Sequence, residues 1–118
     1  MFEIKKAFAF SASHQLSHLP ADHQCARLHG HNYIVEAVLR DTVLNEVGFV
    51  KDYADLAPIK KWLDERFDHR HLNDELIFNP TSELFAKFIF DKWKPNYPTL
   101  YAIRVSETPT SWAEYRAD

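Results

Sequence analysis

The sequence predicts an α+β domain in which helices cover one face of an antiparallel sheet, because strand-like alternation opens and closes the chain while helical periodicity occupies its middle. In the first strand, residues 2–14, the even positions Phe2, Ile4, Phe8, Phe10 and Ala12 form an apolar face interrupted by Lys6 and ending in His14. The second runs from His29 to about Arg40, with His31, Tyr33, Val35, Ala37 and Leu39 on one face and Asn32, Glu36 and Arg40 on the other. Residues 41–48 read as a hairpin loop and 49–52 as a short return strand. A first helix follows, capped by Asp52 or Asp55, with Pro58 tolerated in its first turn and Leu56, Ile59, Leu63 and Phe67 as its apolar stripe. Asn79-Pro80 reads as the cap and first position of a second helix, whose core face is Leu84, Phe85, Phe88 and Ile89 and which ends before the proline-rich residues 94–98. Alternation resumes over 100–107, placing Tyr101, Ile103, Val105 and Glu107 on one face, and 112–115 is a candidate last strand.

The chemistry concentrates in Cys25-Ala26-Arg27-Leu28-His29-Gly30-His31 together with His14. Residues two apart on a strand point to one side, so His29 and His31 present two imidazoles to a common point, and His14 supplies a third if the strands pair antiparallel. Three neutral imidazoles with an open fourth position suit a catalytic zinc ion. His18 and His23, in the loop between the strands, are alternative ligands. With one cysteine in the chain, a four-cysteine or Cys2His2 zinc site is excluded, as is an intrachain disulfide.

Length and charge bound the function. The chain's 118 residues predict one domain spanning 1–118, and 46% hydrophobic residues predict a globular one. A formal charge of −3 gives no electrostatic footprint for nucleic acid. No apolar run is long enough for a membrane span and Met1 leads directly into a strand pattern, so a cytoplasmic protein with a reduced cysteine is expected.

Three further features each admit two readings. Glu107 is either a solvated strand end or an anchor, since a carboxylate at the end of an apolar row pairs in bidentate fashion with adjacent N–H donors of a ligand. Asp68-His69 either closes a helix or forms an acid–base pair in which the carboxylate orients the ring. Cys25 is either a small packed residue or a reactive thiol; the polarity of residues 18–27 and the presence of Arg27 favour the second.

Five elements in order, F-x-x-S-H ending at His14, C-x-x-x-H-G-H from Cys25, F-D-H-x-x-L-N from Phe67, P-T-S-E from Pro80 and V-x-E-T from Val105, resemble the 6-pyruvoyl-tetrahydropterin synthase family, and within it the bacterial 6-carboxytetrahydropterin synthases of queuosine biosynthesis. The resemblance covers about Phe2 to Thr108. It implies a tunnelling fold, a four-stranded antiparallel sheet with two helices on one face, oligomerising into a barrel as a homohexamer of two stacked trimers. It further implies zinc on His14, His29 and His31, a catalytic Cys25 completed by Asp68 and His69, and a pterin anchored by Glu107 with Thr81 and Ser82 against its ring. The zinc and Cys25 of one subunit would face Asp68 and His69 of another. The implied substrate is 7,8-dihydroneopterin triphosphate, a reduced pterin whose side chain carries vicinal hydroxyls. Phe67 stands where the family often has Leu, and the tail after Thr108 lies outside the matching pattern. A pyruvoyl-type synthase would use the same residues. A three-His zinc hydrolase leaves Cys25 unexplained, and a non-catalytic metal- or pterin-binding module leaves the thiol incidental.

Overall fold

The computed structural model describes residues 1–117. Its elements are β1 (Phe2–His14), β2 (His29–Asp41), α1 (Ala57–Arg66), β3 (Arg70–His71), the single turn α2 (Leu72–Glu75), α3 (Ser82–Trp93), β4 (Leu100–Thr108) and β5 (Ser111–Arg116). They form a five-stranded sheet in the order β3-β1-β2-β4-β5, one strand more than expected. β3 runs parallel to β1, pairing Arg70 with Ala12 and His71 with Ser13. Two residues are too few to show a periodicity, which is why the sequence pattern missed it.

β1 and β2 pair antiparallel in one unbroken register from Phe2 opposite Asp41 to His14 opposite His29. Their alternating apolar residues face the helices: Phe8, Phe10, Ala12, Tyr33, Val35, Ala37 and Leu39 are buried. Phe10 stacks on Tyr33 with centroids 5.2 Å apart and meets Phe85 of α3 edge-on at 6.1 Å. Phe2, by contrast, is exposed, because the helices cover only the far end of the strand. That covered end is the one carrying the histidines.

Residues 49–52 are not a strand. The Asn45 side-chain oxygen accepts the N–H groups of Val47, Gly48 and Phe49, so the chain turns back on itself through Gly48 at φ 102°. Asp52 then caps a 3₁₀ turn at Tyr53–Leu56 by accepting from Ala54 N, and α1 continues from it. Leu56, Ile59, Leu63 and Phe67 are all fully buried, as the stripe predicts. Truncating Phe67, packed edge-on to Phe85 at 5.1 Å, would cost roughly 3–5 kcal/mol.

The cap of α3 is Thr81, whose hydroxyl accepts from Leu84 N at 3.2 Å; the expected cap, Asn79, spends its amide on the Ser17 backbone instead. The buried face of α3 is Phe85, Ala86, Ile89, Phe90 and Trp93, turned from the expected one so that Leu84 is exposed. β5 causes the rotation: Phe90 packs against Tyr115 with centroids 5.2 Å apart, while Phe88 is left to stack on Trp62. In β4 a bulge opposite Val38 and Leu39 skips Tyr101, which leaves the core and lies 3.6 Å beneath the Arg40 guanidinium. From Ile103 onward the expected row holds and leads to Glu107. Among the described residues no helix is long and apolar enough to cross a membrane.

Candidate active site

The register that sets His14 opposite His29 also puts His31 one pleat further on, and the ligand atoms of the three imidazoles lie within 4.8 Å of one another. Their ring partners decide which nitrogen is free. His14 Nδ1 is 3.0 Å from the Pro80 carbonyl and His29 Nδ1 is 2.7 Å from the Arg27 carbonyl. A carbonyl only accepts, so each Nδ1 carries the hydrogen and each Nε2 a lone pair. Those two Nε2 atoms face each other at 2.9 Å, a contact between two acceptors that a shared cation turns from repulsion into ligation. His31 Nε2 is buried without a hydrogen bond among the described residues. Burial also holds His14 and His31 below the ordinary histidine range, outweighing the opposite pull of Glu107, and neutral imidazole is the ligating form. The donor set fits a divalent metal with nitrogen preference, with carbonyls orienting two of its three ligands.

Glu107 is drawn to the same point. Oε2 lies 3.3 Å from His31 Nε2, and Oε1 accepts from the Ser82 hydroxyl at 2.8 Å. Its side chain is 23% exposed and tethered by Ser82, rather than free at a strand end, and it borders a cleft of 390 Å³ lined also by Leu16, Thr81, Ser82, Glu83 and Trp112. Thr81 reaches this cleft while accepting the α3 cap bond. Tyr33, which sequence reasoning assigned only to the core, places its hydroxyl 3.0 Å from His14 Nδ1. Burial, and secondarily the Glu107 charge, push its phenol upward, which keeps it protonated. The signal was present, since Tyr33 continues the parity of His29 and His31.

Asp68 and His69 sit between α1 and β3. His69 Nδ1 is 2.9 Å from Asp68 Oδ2, Asp68 Oδ1 accepts from Ser11 N at 2.9 Å, and His69 N donates to Ser11 O at 2.6 Å. The Ser11 amide foremost, and then the His69 ring, hold the Asp68 carboxyl below its usual range. His69 itself adopts φ 58°, a left-handed conformation that costs a non-glycine residue about 1–3 kcal/mol and that the two Ser11 contacts enforce. The pair therefore does more than close α1. The His69 ring is 81% exposed and shares with His31 a 460 Å³ cleft lined also by Ser11, Ser13 and His71.

Cys25 is half-buried in a 3₁₀ turn at Gln24–Ala26. Its N–H donates to His23 Nδ1 at 3.0 Å and its carbonyl accepts from Leu16 N at 3.0 Å, so His23 serves as a cap. The metal-competent group consists of His14, His29 and His31; His18, His23 and Cys25 stand outside it. The thiol of Cys25 is free and outside the metal-competent group, which the Glu107 carboxylate approaches.

A sheet end that gathers three imidazoles and a pinned glutamate defines a metal-competent domain with an open coordination position rather than a closed four-ligand structural site. Sequence comparison identifies which one: residues 3–118 match the 6-pyruvoyl tetrahydropterin synthase family, and the chain belongs to that family of lyases. It is 39% identical over 123 residues to the 6-carboxy-5,6,7,8-tetrahydropterin synthase of Synechocystis sp., covering 98% of this chain and 93% of that one. With the Bacillus subtilis protein of the same name it shares 34% over 128 residues, covering 98% and 85%. The structure of Caenorhabditis elegans 6-pyruvoyl tetrahydropterin synthase superposes with a TM-score of 0.85 at 28% identity, over 99% of this chain and 96% of that one.

Proposed function

We propose that this protein is a zinc-dependent lyase that converts 7,8-dihydroneopterin triphosphate to 6-carboxy-5,6,7,8-tetrahydropterin, releasing triphosphate and acetaldehyde, in the biosynthesis of the 7-deazaguanine queuosine. The observation that carries the proposal is the convergence of Glu107 and the three imidazoles at one point, which suits a ligand with a ring of N–H donors at one end and side-chain oxygens at the other. The names of the Synechocystis and Bacillus relatives support the product.

Glu107 accepts the adjacent N–H groups of the amino-pyrimidine, with Ser82 fixing the carboxylate and Thr81 bordering the ring. Zinc bound by His14, His29 and His31 supplies Lewis acidity toward the side-chain oxygens. The Cys25 thiolate removes a side-chain proton, and His69, oriented by Asp68, returns protons. Loss of triphosphate and cleavage of one carbon–carbon bond divide the three-carbon side chain into a carboxylate and acetaldehyde; water supplies the extra carboxylate oxygen, and the two electrons the side chain loses reduce the dihydro ring to its tetrahydro form. The active assembly is a homohexamer of two trimers with each site completed between subunits.

A second reading, triphosphate elimination without side-chain cleavage, is favoured by the Caenorhabditis elegans structure. Incubation of the zinc-loaded protein with 7,8-dihydroneopterin triphosphate and mass analysis distinguishes the two. Acetaldehyde with a 6-carboxy product is expected; a pyruvoyl product without acetaldehyde establishes the second reading, and hydrolysis alone or no turnover refutes both.

A further inference from the structure

Between the metal ligand His14 and the thiol of Cys25 the chain has no helix or strand until the turn at Gln24–Ala26, yet the first residues of this stretch are bonded on both edges. Asn73 Oδ1 accepts from Gln15 N and its Nδ2 donates to Gln15 O, both at 2.8 Å. Asn79 does the same for Ser17, with Oδ1 accepting from Ser17 N at 2.9 Å and Nδ2 donating to Ser17 O at 3.3 Å. Between them Leu16 N donates to Cys25 O at 3.0 Å. Alternation of this kind is what an extended chain offers, since residues i and i+2 direct their peptide groups to one edge and i+1 to the other.

The placement follows from the ladder. β3 pairs His71 with Ser13, so the next bonding position on this edge of β1 is Gln15, opposite residue 73. There the backbone has already turned into α2, and the Asn73 side-chain amide, one donor and one acceptor like a peptide, takes over. Asn79 repeats the substitution at Ser17 and precedes Pro80, whose carbonyl orients His14. Both asparagines are thus committed to backbone on the path from metal to thiol.

We propose that Asn73 and Asn79 are positioning residues: their side-chain amides prolong β1 beyond His14 and thereby hold the Cys25 loop in register with the metal cluster. The kinetic part of this inference rests on the lyase reading above. The amides touch neither ligand nor thiol; they act through Gln15, Leu16 and Ser17. Misplacement of a reacting group by about 1 Å can cost ~10²-fold in rate, so the loss belongs in kcat rather than KM.

The test uses the zinc-loaded full chain and the Asn73→Ala and Asn79→Ala variants, with two readouts on each: steady-state kinetics, and the rate at which limiting iodoacetamide alkylates Cys25. Zinc content and thermal unfolding confirm an intact fold. Expected are a kcat lower by ~10- to 10²-fold with KM within about twofold, and alkylation about threefold faster or more as the loop loosens. A wild-type alkylation rate in both variants overturns the proposal, as does a change confined to KM. Should either alanine variant fail to fold, Asn73→Asp and Asn79→Asp, which keep the acceptor and lose the donor, replace it under the same criteria. A wild-type protein that does not turn over the pterin refutes the lyase reading alone, and alkylation then decides the clamp.

Discussion

Replacing Glu107 by Gln isolates the charge of the proposed anchor, because the two side chains have nearly the same shape and glutamine keeps an oxygen for the Ser82 hydroxyl now 2.8 Å from Oε1. What changes is the other end, where an NH2 donor meets the N–H donors of the incoming pyrimidine. A charge-assisted hydrogen bond contributes about 1.5–3 kcal/mol, and at about 1.4 kcal/mol per factor of ten its loss weakens pterin binding by roughly 10- to 150-fold. The carboxylate's 23% exposure means that solvent screens it only in part, so the effect is not expected at the bottom of that range. Calorimetric titration with dihydroneopterin measures it, in a Cys25→Ala background that prevents turnover and with zinc content matched beforehand, since Glu107 also touches His31. Ser82→Ala provides the graded control, removing only the orienting bond and costing about 2- to 10-fold. An affinity for Glu107→Gln within twofold of its parent would refute the anchor.

Each of His14→Ala, His29→Ala and His31→Ala removes one of the three imidazoles and should abolish stoichiometric zinc by plasma emission; a folded variant retaining one zinc per chain dismisses that ligand. Cys25→Ala should keep its zinc and lose ~10²- to 10⁴-fold in kcat, and near-wild-type turnover would reduce the thiol to packing. Because burial lowers His14 and His31 below the unfolded value, the unfolded chain binds more protons below about pH 6.5; metal-free protein should therefore unfold at higher temperature at pH 7 than at pH 5, and a flat or inverted trend contradicts this. Cys25→Ala and His69→Ala homomers, each inactive, should regain part of their activity after dissociation and joint reassembly if sites are shared between subunits. Mixed oligomers seen by native mass spectrometry but without that recovery point to a site completed within one chain, where His69 already shares a cleft with His31.

What the sequence revealed was whatever a local period could carry. Alternation from Phe8 to His14 and from His31 to Leu39 identified both the buried faces and the three imidazoles, because a strand's side-chain period depends only on its own backbone. The stripe of Leu56, Ile59, Leu63 and Phe67 was legible for the same reason. Features fixed by distant partners were not. β3 exists because Ser11 and Ser13 lie beside it, 57 and 58 residues away in sequence by the bonds of Asp68 and His71, and no window of sequence contains both sides. Asn79-Pro80 carries a genuine local cap signal, overridden by the Ser17 backbone, whose N–H and carbonyl both bond the Asn79 side chain. Tyr101 obeys the alternation of β4 and still leaves the core, since the bulge belongs to the pairing with β2 rather than to either strand.

The location of the candidate site follows from the same division between local and distant order. Two strands that pair without interruption bring their last side chains together whatever those are, and here the last are His14 and His29. Local sequence thus delivers two imidazoles to one point, but it does not turn their rings. The turning comes from carbonyls: Arg27 for His29, two residues away, and Pro80 for His14, 66 residues away and just before α3. Residues next to Pro80 carry the rest, Thr81 starting α3 and Ser82 holding Glu107. Because His14 is wholly buried and its Nδ1 hydrogen is committed, its Nε2 has no solvent to face and no proton to give. A lone pair so placed, 2.9 Å from another, raises the energy of the metal-free arrangement, and relief of that repulsion adds to the affinity for a cation. The fold therefore holds two imidazoles of the metal-competent group ready by means of backbone carbonyls and leaves Glu107 and Cys25 outside that group.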